Sequence, residues 1–250
     1  MLIHPTIEKL KSMRLAGMAK GLRAQLENPE IHSLPFEDRL TLLVEAELLE
    51  REIRQLGSRL RNAKLRENAA LEDLDTRASR GLDRALLGSL ATCQWIKRHH
   101  NLVITGATGA GKTWLACALS HTACRQGMTA AYHRLPALMQ DLDLARHDGR
   151  YRKLMRALAR TELLVLDDLG IAPLSVEQLR DLLEIIDERY QKRSTLITSQ
   201  LPIASWHEAL GDPTMADAIL DRVVHNAYKI KLDGDSMRKL RAKIDGGETM

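Results

Sequence analysis

Residues 101–125 constrain this chain more than any other stretch. The run Asn-Leu-Val-Ile-Thr meets the octapeptide Gly106-Ala107-Thr108-Gly109-Ala110-Gly111-Lys112-Thr113, and a helical pattern opens at Trp114. The octapeptide satisfies G-x-x-x-x-G-K-[ST] at every fixed position. Its three glycines let the backbone turn with no Cβ in the way, so successive N–H groups can converge on phosphate oxygens. A helix starting at this point adds positive potential. Lys112 can then reach the outer phosphates of ATP, and the Thr113 hydroxyl can ligate Mg2+. Residues from Gly106 through Trp114 are therefore the candidate nucleotide contacts. A glycine-rich turn with an incidental lysine is the plainer alternative, and the strand-like run before it and the helix after it argue against that.

The surrounding pattern agrees. Short apolar runs at 102–105, 128–132, 163–166, 195–198 and 228–232 alternate with helical spacing at about 113–126, 136–158, 175–192 and 203–225. Alternation of this kind predicts an α/β fold, with a mostly parallel five-stranded sheet flanked by helices. Continuous apolar runs fit strands buried on both faces.

A P-loop also needs a carboxylate for the metal shell. In the run Glu162-Leu-Leu-Val-Leu-Asp167-Asp168, two acids stand at the C-terminal end of a buried strand. Ligands sit at that edge in open α/β sheets. Asp167 is the expected magnesium partner, and Asp168 the expected base for the attacking water. The following strand ends in Thr198, Ser199 and Gln200. If it lies beside the Asp167 strand, one of these side chains faces the terminal phosphate.

The first 75 residues read as helices. Thr6 can cap a helix carrying Ile7, Leu10, Met18, Leu22 and Leu26 on one side. A second helix spans about 36–65 and ends basic, with Arg61, Lys64 and Arg66 among its last cations. Those charges suit a helix C-terminus, and equally a phosphate backbone. Residues 67–80 are polar and read as a linker. The expected organisation is a small all-helical N-terminal domain at 1–75 and a nucleotide-binding domain at 76–250.

Charge narrows the partners. The chain has 250 residues and a net charge of +4, but residues 76–160 hold 14 Lys/Arg against 4 Asp/Glu, a net +10. Within it, Arg146, Arg150, Arg152, Lys153 and Arg156 have only Asp148 as a nearby acid in sequence. A concentrated positive field is the footprint of a polyanion. With aromatics at 3%, base stacking on single strands is disfavoured, and backbone contacts to duplex DNA are expected instead. No apolar run approaches the roughly 20 residues of a membrane span. Cys93, Cys117 and Cys124 form no C-x-x-C pair, which points to a reducing cytoplasm.

On these residues the chain resembles the AAA+ superfamily of P-loop NTPases. More narrowly it looks like the IstB-like helper ATPases of bacterial insertion sequences, with the DnaC-type helicase loaders as close relatives. The segments that carry the resemblance are GATGAGKTWLACAL, LLVLDDLG, TLITSQLP, WHEALGDPTMADAILDRVVHNAYKIKLDGDSMR and the leader's RLRNAKLRE. It implies a bacterial ATP-dependent helper that binds duplex DNA, assists a cognate transposase and forms a homo-oligomer with shared ATP sites. Arg222 would then act in trans on a neighbour's ATP, and Arg238 in cis. Gln200, in preference to Ser199, would be the first sensor. Many AAA+ enzymes place Glu where this chain has Asp168, and the shorter side chain implies slow basal hydrolysis. The runner-up is a replicative helicase loader. From other classes, a small-molecule kinase and an ATP-binding scaffold that needs no hydrolysis also fit a P-loop.

Overall fold

The computed structural model describes residues 5–74 and 81–233, with every side chain except that of His32. The chain divides into two compact units, one up to Ser58 and one from Arg59. The division falls inside a continuous helix.

The first unit holds α1 (Pro5–Ser12), α2 (Ala16–Glu27), a 3-10 turn (Pro29–Ser33) and most of α3 (Phe36–Ala63). The single helix expected from Thr6 onward breaks at 13–15, where Arg14 takes a φ of 62°. Thr6 lies inside α1, behind Pro5. α2 has no side-chain cap of its own. The buried Glu47 of α3 supplies one, accepting from Gly17 N at 2.7 Å and Met18 N at 3.2 Å. Arg51 bonds the other oxygen at 2.7 Å, and this contact leads in holding the carboxyl below its ordinary range against the effect of burial. Gly17 is required where the helices meet, since a Cβ there would come within 2.3 Å of the Ala46 carbonyl oxygen.

The second unit begins with the last turn of α3. Arg59 donates to the Cys124 carbonyl at 3.3 Å, and Ala63 is fully buried. The described part of the expected linker is packed: Ala69 is buried, Leu71–Asp73 form a 3-10 turn, and Glu72 pairs with Arg125. Next come α4 (Arg84–Ala91), capped by Asp83, and the short α5 (Gln94–Lys97). The sheet and its crossovers follow: β1 (Asn101–Gly106), α6 (Lys112–Arg125), β2 (Ala130–Arg134), α7 (Leu135–His147), α8 (Tyr151–Arg160), β3 (Leu163–Leu169), α9 (Val176–Arg189), β4 (Ser194–Ser199), α10 (Trp206–Leu210), α11 (Pro213–Val224) and β5 (Ala227–Leu232).

All five strands are parallel, in the order β2-β3-β4-β1-β5. This is the expected α/β layer structure, and strands buried on both faces explain the unbroken apolar runs. On one face Val103, Leu164, Leu166 and Ile197 form a core with Leu142 of α7, Leu158 of α8, Ile186 of α9 and Val223 of α11. Two helices expected as single pieces are broken at glycines with positive φ: Gly149 (75°) parts α7 from α8, and Gly211 (82°) parts α10 from α11.

At the sheet's N-terminal edge lies Arg189, a buried cation whose partners among the described residues are all dipoles. It donates to the carbonyls of Leu158 at 2.5 Å and Thr161 at 2.7 Å, to that of Ser194, and to Thr195 Oγ1 at 3.0 Å. Burial pushes its pKa down to about 9. Among the described residues, no helix is long and apolar enough to cross a membrane.

Candidate active site

The strand order decides what meets at the C-terminal edge of the sheet. β1 leads into the glycine loop, and β3 ends in the two acids. β4 lies between them, so its polar end, Thr198 to Gln200, is inserted between loop and acids.

The loop folds as its glycines require. Gly106, Gly109 and Gly111 take φ values of 151°, 85° and 96°. Gly111 immediately precedes α6 and leaves its first amides free for a ligand. Gly106 is constrained twice, because a Cβ there would also lie 2.4 Å from the Leu232 carbonyl oxygen of β5. Lys112 curls over the loop, its Nζ donating to the carbonyls of Gly106 (2.7 Å) and Ala107 (2.9 Å). Burial lowers its pKa, and the charges of Asp168 and Asp167 oppose that shift.

Asp167 is fully buried and ringed by hydroxyls. Thr113 Oγ1 lies 3.0 and 3.2 Å from its two oxygens, Tyr132 donates to Oδ2 at 2.5 Å, and Thr198 donates to Oδ1. Burial and the bond to Asp167 together raise the Tyr132 pKa, so the phenol stays protonated and donating. A carboxylate beside a threonine hydroxyl is a hard-oxygen donor pair, which fits Mg2+ held mainly by phosphates.

The β3–β4 register shifts between Leu166 and Leu169. Within the shift Asp168 takes a φ of 70°, a left-handed conformation uncommon for a residue with a side chain. Irregular strand ends of this kind re-aim side chains. The Asp168 carboxylate meets Arg134 at 3.1 Å, and its amide donates to Thr198 Oγ1 at 3.1 Å. Thr198 thus ties both acids together.

The loop and Asp168 line a cavity of about 350 Å³, with Asp167 buried behind it. Its wall takes in the loop from Thr108 to Trp114, with Asp168, Gln200, Arg134, Arg66 and the apolar Leu74, Leu82 and Leu232. The volume falls in the range of small-molecule sites. Gln200 reaches the loop, accepting from Thr108 Oγ1 at 2.7 Å. Ser199 is buried and donates to the Leu169 carbonyl at 2.7 Å. Of the two sensor candidates, Gln200 lines the cavity and Ser199 is turned into the strand pair.

Other expected residues lie elsewhere. Arg222, in the last turn of α11, pairs with Asp187 of α9 and donates to the Ala218 carbonyl at 2.8 Å; it does not line its own chain's cavity. Arg238 lies outside the described residues. Arg146 is committed within the fold, bound to Asp181 and to Glu177 (3.2 Å) and stacked 4.2 Å over the Tyr151 ring. Its acids come from α9, far along the chain, so they were invisible in a local count of charge. Arg150 is paired with Asp148 at 2.7 Å. Arg152, Lys153 and Arg156 are exposed on α8, as are Arg61 and Lys64 at the end of α3. Arg66, grouped with those cations in the sequence, is exposed too and stands on the cavity wall.

Sequence reasoning missed Tyr132 and Arg134. Both stand at the C-terminal end of β2, two residues apart, and the available signal was the polar end of that strand beside the acid-bearing one.

The comparisons with known proteins accord with this geometry. The family model described as IstB-like ATP binding protein matches residues 8–244. The insertion sequence ATP-binding protein y4pL of Sinorhizobium fredii is 52% identical over 239 residues, covering 96% of this chain and 98% of its own. The insertion sequence IS21 ATP-binding protein of Pseudomonas aeruginosa is 29% identical over 245 residues, covering 98% and 92%. Among solved structures, the DnaC helicase loader superposes with a TM-score of 0.56 at 23% identity, over 68% of this chain and all of that one. The replication initiator DnaA bound to AMPPCP and single-stranded DNA gives 0.55 at 16% identity, over 73% and 56%. At such identities these two establish the AAA+ fold.

Proposed function

The chain belongs to the IstB-like ATP-binding protein family and is a P-loop ATPase, and from that premise we propose that it hydrolyses MgATP to help a transposase act on duplex DNA. The observation that carries the reading is the meeting of Lys112, Thr113, Asp168 and Gln200 in one cavity beside the buried Asp167. These residues come from three separate segments, and each supplies a different part of phosphoryl-transfer chemistry.

The loop amides and Lys112 bind phosphate oxygens. Thr113 and Asp167 are the oxygens this chain offers to Mg2+, which offsets phosphate charge when bound. Asp168 orients the attacking water and accepts its proton. Gln200, held by Thr108, fixes the other side of that water. Arg134 occupies one oxygen of Asp168, and the carboxylate is already one methylene shorter than a glutamate. Both features support slow turnover until a partner rearranges the site. Arg222 completes the site of an adjacent subunit, where a guanidinium stabilises charge on the transferring phosphoryl group.

For DNA, the exposed cations Arg152, Lys153 and Arg156 of α8 are the contacts we favour, with Arg61 and Lys64 as a second group. Contacts of this kind are read by phosphates and carry no sequence information. The family match over nearly the whole chain favours the transposition reading over the helicase loader, which is supported by fold alone.

The test is ATPase rate and particle size measured together, with and without duplex DNA. A slow basal rate, raised by DNA in an oligomer, is expected. Fast turnover by a monomer that ignores DNA would overturn the proposal.

A further inference from the structure

We propose that Arg66 is a further cation of the nucleotide site, reaching the terminal phosphate of a triphosphate bound to its own chain. The inference rests on the ATPase reading of the cavity.

The segment carrying Arg66 is fastened to α6, the helix that begins at Lys112. Ala63 and Ala69 are buried on either side of it. The Cys117 thiol, one turn beyond Thr113, lies close to the backbone amides of Glu67 and Arg66, which lower its pKa against the larger effect of burial. At the far end of α6, Arg125 pairs with Glu72. Between α3 and this anchor, Lys64 takes a φ of 49° and turns the chain. Arg66 therefore occupies a built position. Its side chain is exposed, and the backbone that carries it is anchored.

That position faces the chemistry. Arg66 shares the cavity wall with Lys112, Thr113 and Asp168. Its guanidinium is near enough to the Tyr132 hydroxyl, which donates to Asp167, and to the charges of Asp167 and Asp168 for all three to raise its pKa against the effect of burial. A guanidinium has five donors in a fixed fork. Among the described residues no salt bridge engages Arg66, and the first group acting on it is a neutral hydroxyl, which leaves donors and charge for an anion. Planar, bidentate recognition of phosphate is what arginine does better than lysine. With Lys112 on one side and Arg66 on the other, the outer phosphate meets cations from two directions within one chain.

The test compares nucleotides that differ by one phosphate, using the full chain. Arg66→Ala should weaken a non-hydrolysable triphosphate analogue by about tenfold to a hundredfold while changing ADP affinity by less than about twofold. Hydrolysis should fall at least as far as triphosphate affinity, and duplex DNA affinity should not move. Arg66→Lys, which keeps the charge without the fork, should lie between. An equal loss for ADP and triphosphate would mean that Arg66 only shapes the wall, and unchanged triphosphate affinity would mean that it makes no contact; either overturns the inference. If Arg66→Ala fails to fold, Arg66→Gln carries the same comparison. Lys112→Ala is run alongside. If that variant too binds the triphosphate normally, the ATPase reading of the cavity fails, and this outcome is separate from a failure of Arg66 alone.

Discussion

Thr198→Val removes one oxygen and leaves the side-chain shape nearly unchanged. That oxygen is fully buried, donates to Asp167 Oδ1 and accepts from the Asp168 amide at 3.1 Å. Without it the amide is left unsatisfied, which costs about 1–3 kcal/mol, and the carboxylate loses a charge-assisted bond worth about 1.5–3 kcal/mol. The added methyl group returns about 0.8 kcal/mol of burial. A net loss of about 2–5 kcal/mol follows from these terms. Thr198→Ser keeps the oxygen and loses a methyl, for about 1 kcal/mol. Urea unfolding of the two variants against the parent measures both. The valine variant should also lose about tenfold to a hundredfold in ATPase, because supports of a metal ligand act through its orientation. If valine is no more destabilising than serine, Thr198 does not hold the two acids and the account of the site is wrong.

Other outcomes follow from the same physical chemistry. Glu47 has a folded-state pKa below its ordinary value of 4.5, so its stabilisation is complete above that pH and is lost as pH falls through the depressed value. Glu47→Gln should therefore cost about 1–3 kcal/mol at pH 7, with the gap to the parent narrowing on acidification in urea titrations. Replacing Arg152, Lys153 and Arg156 with Ala should flatten the plot of log affinity against log salt for duplex DNA by about 2.7. Between 50 and 200 mM salt that slope is a factor of about 40 in affinity, so an unchanged salt response would remove α8 from the DNA surface. Mixing Lys112→Ala with Arg222→Ala subunits should restore part of the ATPase activity that each lacks alone. No recovery, with a normal rate for Arg222→Ala by itself, would show that sites are not shared.

Much of the site was legible because the P-loop and the acid pair are local. Gly106 to Thr113 and Leu163 to Asp168 each carry their own periodicity, and a parallel sheet delivers both to one edge. Strand existence was legible for the same reason, and helix breaks were not. Gly149 and Gly211 interrupt apolar patterns that read through, since a helix that restarts on the same face keeps its periodicity. Charge was the least legible property. Arg146 looked free because its partners, Asp181 and Glu177, lie over 30 residues away on α9. Arg66 looked like part of a basic helix end because nothing local reports that its backbone lies close to Cys117 of α6. Local spacing reveals which residues share an element, and pairings between elements depend on a topology that spacing alone does not contain.

Arg189 has a mechanical consequence. Its donors gather carbonyls from the end of α8, from the approach to β3 and from the start of β4. A fan of this width is available only to arginine, and once made it rivets three elements at the edge opposite the nucleotide. Loss of this one side chain would therefore release all three attachments at once, and each would leave a buried carbonyl without its donor.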